Sequence, residues 1–124
     1  MTETYTIYHN PRCSKSRMTL KLLRREGAKV DIVKYMETPP SPELLVKALK
    51  TLGRDVVLRK GEDAYYTHIH GQEKKLQDAQ IAALLQEYPE ILQRPLVIAP
   101  DGRMVMGRPP ENVLQLFQGA ASLK

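Results

Sequence analysis

At 124 residues the chain has the size of one ordinary domain and can bury a core of its own. With 42% hydrophobic and 27% charged residues it reads as a globular protein, which excludes an intrinsically disordered chain, and no apolar run approaches the ~18–20 residues of a membrane span. The net charge of +5 comes from scattered Lys and Arg with few aromatics beside them, so solvated helix faces account for it better than a nucleic-acid surface.

Thr4 to His9 is β-branched and aromatic and reads as a first strand. Asn10-Pro11 marks a turn, and Ser14 to Glu26 has helical periodicity, with Met18, Leu20, Leu22 and Leu23 apolar and Gly27 as the stop. Lys29 to Tyr35 alternates as a second strand. A strand–helix–strand unit this short implies a parallel pair with a right-handed crossover. Ser41 is a good N-cap and Pro42 suits the first position of a helix reaching about Leu52, with Leu45, Ala48, Leu49 and Leu52 inward and Gly53 at its end. Val56 to Lys60 is open between a brief helix and an extended segment.

Gly61 to Lys75 is the least regular stretch and holds Tyr65-Tyr66 and His68-x-His70. On a strand the two histidines would share one side, as metal ligands can, but no Cys or clear carboxylate ligand accompanies them. A polar loop is expected there, and no metal. Asp78 is expected to cap a helix to Tyr88, with Ile81, Leu84 and Leu85 inward and Pro89 as the stop. Leu96 to Ala99 reads as a buried strand, Pro100 to Arg103 as a hairpin turn, and Met104 to Met106 as the return strand. Pro109-Pro110-Glu111 opens a last helix with Val113, Leu114 and Phe117 apolar, ending at Gly119 before a frayed tail of residues 120–124. No linker separates domains, so a single domain over residues 1–124 is expected, monomeric by default.

Cys13 is the only cysteine, which excludes an internal disulfide. The opening Met1-Thr2-Glu3-Thr4 has neither region of a signal peptide, so a cytoplasmic protein is expected. A thiol where a strand turns into a helix faces unpaired N–H groups and the positive end of the helix dipole, and Arg12, Lys15 and Arg17 add charge. Such surroundings bring a thiol from about 8.5 to roughly 3.5–7.5. A core-filling cysteine seldom sits among two arginines and a lysine. Three further arginines head short motifs: Leu58-Arg59-Lys60, Gln93-Arg94-Pro95 and Gly107-Arg108-Pro109. Arg94 and Arg108 flank the hairpin, so both can point to one end of a sheet, and planar guanidinium groups suit a tetrahedral oxyanion.

The order β-α-β, helices, β-β-α is that of the thioredoxin-like fold: α/β, a mixed sheet of about four strands with flanking helices and an inserted helical segment. Its functional signature is a cysteine at the first strand–helix turn, faced by a cis-proline just before the third strand. Pro95 stands in that place.

Through His9-Asn10-Pro11-x-Cys13-x-x-Ser16-Arg17, Tyr35 with Pro39-Pro40, Leu58-Arg59-Lys60, Arg94-Pro95 and Arg108-Pro109, the chain resembles the glutaredoxin-linked arsenate reductase family from about Tyr5 to Phe117. The resemblance implies Cys13 as the nucleophilic thiolate and Arg59, Arg94, Arg108 and Ser16 as the residues that bind arsenate or a similar oxyanion. It places His9 near the thiolate, tuning its pKa. It also implies glutathione as reductant and glutaredoxin as partner, with no tightly bound cofactor, while composition leaves no nucleic-acid or membrane partner expected. The missing second cysteine independently calls for an external thiol. The loop reads Cys13-Ser14-Lys15-Ser16, as in housekeeping members, where plasmid-type enzymes carry Cys-Gly-Thr-Ser. Two other readings stay open. One is a transcription-regulating protein of the Spx type, which usually carries Cys-x-x-Cys where position 16 is serine here. The other is a glutathione-dependent oxidoreductase acting on protein mixed disulfides.

Overall fold

A computed structural model describes residues 4–117; the expected stop at Gly119 and the tail beyond it lie outside the described residues. The elements run β1 (Thr4–His9), α1 (Ser14–Arg25), β2 (Lys29–Lys34), α2 (Pro42–Leu52), α3 (Arg54–Val57), α4 (Asp63–His68), α5 (Asp78–Glu87), β3 (Leu96–Ile98) and β4 (Met104–Met106). A 3-10 turn at Pro110–Leu114 opens the last helical stretch. These elements cluster in two compact units, one from the chain up to Lys34 and from Arg94 onward, the other from Tyr35–Gln93.

The first unit carries the sheet, in the order β2-β1-β3-β4. β1 and β2 are parallel, with Thr4 beside Lys29 and His9 beside Lys34. β3 runs antiparallel to β1, with Tyr8 beside Leu96, and β4 antiparallel to β3, with Leu96 beside Met106. This is the mixed four-stranded sheet expected of a thioredoxin-like fold. Its register has one decisive result: the end of β1, the start of β3 and the end of β4 meet at the same end of the sheet. Cys13, Arg94-Pro95 and Arg108 extend from those three points. The Arg94-Pro95 bond is cis, as expected, and Arg108-Pro109 is cis as well.

Ile7, Leu23, Val97, Ala99, Val105, Val113 and Leu116 form the core of this unit, with Tyr5 and Phe117 stacked at its margin, ring centroids 4.9 Å apart. Of the expected apolar residues of α1, Leu23 is buried and Leu20 and Leu22 pack against the core, but the fully buried face is shared with two hydroxyl residues. That face is Ser16, Thr19 and Leu23, while Met18 is half exposed. Residues 16, 19 and 23 lie at helical spacing, and both hydroxyls find hydrogen-bond partners, which removes the usual cost of burying them.

The second unit is the inserted helical segment. Ser41 Oγ accepts the Leu44 N–H at 3.2 Å and Gly53 closes α2 with φ +88°, both as the residues require. Val56 to Lys60 resolves into both readings at once: α3 ends at Val57, and Leu58 makes a β-bridge to Leu92. The polar stretch after Gly61 is not a loop but a succession of helical turns, α4 and then Glu73–Lys75. Its Tyr65 is buried because its hydroxyl donates to Glu73 at 2.8 Å. His68 stacks on Tyr88 at 4.2 Å and His70 on Tyr66 at 4.1 Å, so the strand that would present both histidines on one side does not form.

Asp78 does not cap α5. Gln77 does, in a reciprocal capping box with Gln80, because the Asp78 carboxylate is taken by Arg54. That guanidinium spends its donors on Asp78 at 3.0 Å, the Glu73 carbonyl at 2.6 Å and the Leu76 carbonyl at 2.7 Å. It therefore ties α3 to the whole run into α5, and its removal strands two carbonyls and a carboxylate. Arg54→Ala is expected to destabilise the protein by about 2 kcal/mol, read from the urea midpoint, with Arg54→Lys recovering only part because one ammonium cannot span all three acceptors.

Candidate active site

The turn after β1 is built by short-range hydrogen bonds. The Cys13 N–H donates to the Asn10 carbonyl at 3.0 Å, the Arg12 N–H to Asn10 Oδ1 at 3.0 Å, and Arg17 Nη1 to the Pro11 carbonyl at 2.9 Å. Cys13 is the N-cap of α1, with φ −93° and ψ 122°, and no acidic residue sits in the first turn. Asn10-Pro11 thus does what its composition implies, reversing the chain so that the thiol faces a helix N-terminus.

Arg108 comes to the thiol from the other side. Its Nη1 lies 3.7 Å from Cys13 Sγ and donates to the Arg94 carbonyl at 3.2 Å. The turn that carries it is pinned by Asn112, whose Nδ2 donates to the carbonyls of Met106 at 3.3 Å and Arg108 at 3.1 Å. Burial pushes the Cys13 thiol up, the largest single influence. The Ser16 N–H, the Arg94 guanidinium, the Lys15 N–H and the Arg108 guanidinium together outweigh it, and the thiol lies below its ordinary value. Sγ closes no capping hydrogen bond of its own. It lies instead among the N–H dipoles and guanidinium groups that lower its pKa.

His9 meets the loop through Ser16. It is buried, with Nδ1 2.6 Å from Ser16 Oγ. Ser16 Oγ also accepts the Asn10 N–H at 3.1 Å, so its own proton is free to donate to Nδ1, and the neutral ring then carries its proton on Nε2. Burial first, then Arg17, Arg24 and Lys34, hold the imidazole below its ordinary value. His9 and Ser16 therefore lock the loop that carries the thiol, and Ser16 offers the site its backbone N–H, its hydroxyl being spent on the lock.

The first unit thus brings together His9, Cys13, Ser16, Arg94, Pro95 and Arg108 of the expected residues. Arg59 belongs to the second unit, where Glu62 Oε2 at 3.1 Å and Gln93 Oε1 at 3.2 Å accept from its guanidinium. Sequence reasoning missed Asn112 and Thr19. The helical phase of Ser16, Thr19 and Leu23 was the available sign for Thr19. Among the described residues no group of three or more His, Cys, Asp or Glu side chains could hold a metal ion, and no helix is long and apolar enough to cross a membrane.

Two consequences can be measured. Alkylation of Cys13 by iodoacetamide should reach half its limiting rate below the ~8.5 of an unperturbed thiol, and Arg108→Gln should move that midpoint back up. For His9 the folded pKa lies below the unfolded one. Its contribution to stability is full above the unfolded value of about 6.5 and is lost as pH falls through the lower folded value. Acidification from about pH 7.5 to about 5.5 should therefore lower the urea midpoint more in the wild type than in His9→Gln.

Comparison with known proteins agrees with this geometry. The ArsC family model matches residues 8–116. The uncharacterized protein YfgD of Escherichia coli is 39% identical over 119 residues, covering 94% of this chain and 98% of that one. An arsenate reductase of Escherichia coli is 38% identical over 117 residues, covering 93% and 82% respectively. Among solved structures, the arsenate reductase from Vibrio cholerae superposes with a TM-score of 0.79 at 36% identity, over 93% of this chain and 98% of its own. With its cysteine loop, facing proline and paired arginines inside the matched span, the chain belongs to the ArsC family.

Proposed function

We propose that the protein reduces arsenate to arsenite with an external thiol as reductant. The observation that carries this reading is the approach of Arg108 Nη1 to within 3.7 Å of Cys13 Sγ, at the helix N-terminus where the thiol is acidified. Cations close to a nucleophilic sulfur serve a substrate that is itself an anion, and relatives of nearly full length are arsenate reductases.

Arsenate docks against the guanidinium groups of Arg94 and Arg108 and the N–H groups of the Cys13–Ser16 turn; the family resemblance extends this role to Arg59. The Cys13 thiolate attacks arsenic and an oxygen leaves as water once protonated, giving a thiol–arsenic(V) adduct. Glutathione displaces a second oxygen. A glutaredoxin thiol then attacks the glutathione sulfur, leaving the bonding pair on arsenic and forming a mixed disulfide. Arsenic has gained two electrons, and water releases arsenite and returns Cys13. No second cysteine exists in the chain to take the external thiol's place.

Cys13→Ser is expected to abolish arsenate turnover in an assay coupled to glutathione, glutaredoxin and glutathione reductase. Arg94→Lys is expected to lower kcat/KM about tenfold through loss of the bidentate contact. Turnover retained in Cys13→Ser would overturn the mechanism. Rapid reduction of a glutathionylated peptide, with none of arsenate, would reassign the site to mixed disulfides.

A further inference from the structure

Thr19 has no exposed surface and lies one turn beyond Lys15 on α1. A buried hydroxyl needs partners. Its Oγ1 donates to the Lys15 carbonyl at 2.8 Å and lies 3.4 Å from the Gly107 carbonyl. The first carbonyl belongs to the opening turn of the helix that Cys13 caps. The second immediately precedes Arg108. On its other side, the Gly107 N–H donates to the Pro95 carbonyl at 2.9 Å.

Gly107 therefore passes between Thr19 and Pro95 on the way to Arg108. A Cβ at Gly107 would stand 2.5 Å from Thr19 Oγ1, 3.0 Å from Thr19 Cγ2 and 2.9 Å from Pro95 Cγ. Its φ lies outside the left-handed region, so space and not torsion demands glycine. Gly27, Gly53 and Gly71 are the opposite case, with open space and positive φ. Gly107 is required by its neighbours.

We propose that Thr19 and Gly107 are positioning residues whose contact sets how closely the Arg108 guanidinium approaches the Cys13 thiol. The 3.7 Å separation is already near the limit for a contact to sulfur, so a shift of a few tenths of an ångström at residue 107 is felt there. The device couples the two halves of the anion site, the helix N-terminus and the arginine after β4, through one side chain. It rests on the proposed reaction only for its effect on arsenate turnover. The thiol's own titration tests it whatever the substrate.

The experiment follows Cys13 alkylation by iodoacetamide against pH in folded variants checked by circular dichroism. None of these variants alters Arg94, Lys15 or Ser16, the other groups that lower the thiol pKa. Gly107→Ala is expected to slow alkylation near neutral pH about threefold to tenfold by raising the thiol midpoint. In an Arg108→Gln background the same substitution should have no further effect, a non-additivity that a merely structural role would not produce. A folded Gly107→Ala protein that titrates like wild type, or a shift that persists undiminished without Arg108, overturns the proposal. If Gly107→Ala does not fold, Thr19→Val and Thr19→Ser decide it. Valine keeps the shape and loses the hydroxyl, so it should slow alkylation while serine stays near wild type; equal profiles overturn the proposal. If the titration shifts as expected but wild type reduces no arsenate, the positioning role stands and the reaction reading fails.

Discussion

The structure depends on a conflict at one sulfur atom. Burial alone raises the Cys13 thiol and would keep it protonated and inert. Two N–H groups and two guanidinium groups reverse that direction, and they come from three stretches of chain: both N–H groups from the α1 turn, one arginine from the segment before β3 and the other from the turn after β4. The sheet register is what makes these stretches neighbours. A parallel β1–β2 pair followed by antiparallel β3 and β4 delivers three chain ends to one edge.

Around that sulfur the polar residues divide into those that act on the thiol and those that hold the ones that do. Arg94, Arg108 and the loop N–H groups are of the first kind. His9, Ser16, Asn112 and Thr19 are of the second, and every one of them is matched to a partner by hydrogen bonds of 2.6 to 3.4 Å. Preorganisation of this sort costs nothing at the moment of reaction, because the dipoles already point where charge gathers. The second unit obeys the same logic for a different end: Arg54 supplies its stability by meeting acceptors from three residues at once.

Much of this was legible in the residues. The strand–turn–helix around Cys13, the hairpin at Pro100 to Arg103 and the Ser41 cap follow from local chemistry, while the place of Pro95 follows from the signature of the fold. What was not legible rests on contacts far apart in sequence. Thr19 and Gly107 stand 88 positions apart, and no pattern in either neighbourhood pairs them. Asp78 has the chemistry of a cap, but Arg54, 24 residues away, claims it. The stretch after Gly61 misled by composition: its polar groups find partners, Tyr65 donating to Glu73 and Glu73 also meeting Lys60 from just before the stretch, so it folds where polarity implied a loop.

Ser16 occupies the place where a Cys-x-x-Cys protein keeps its second thiol, and the structure shows what that exchange entails. Its oxygen fits a 2.6 Å contact to His9 and a 3.1 Å contact from the Asn10 N–H, in a site with no exposed surface. Sulfur is larger and a weaker acceptor, so a cysteine there would loosen the very turn that presents Cys13. A self-contained dithiol is thus more than one substitution away.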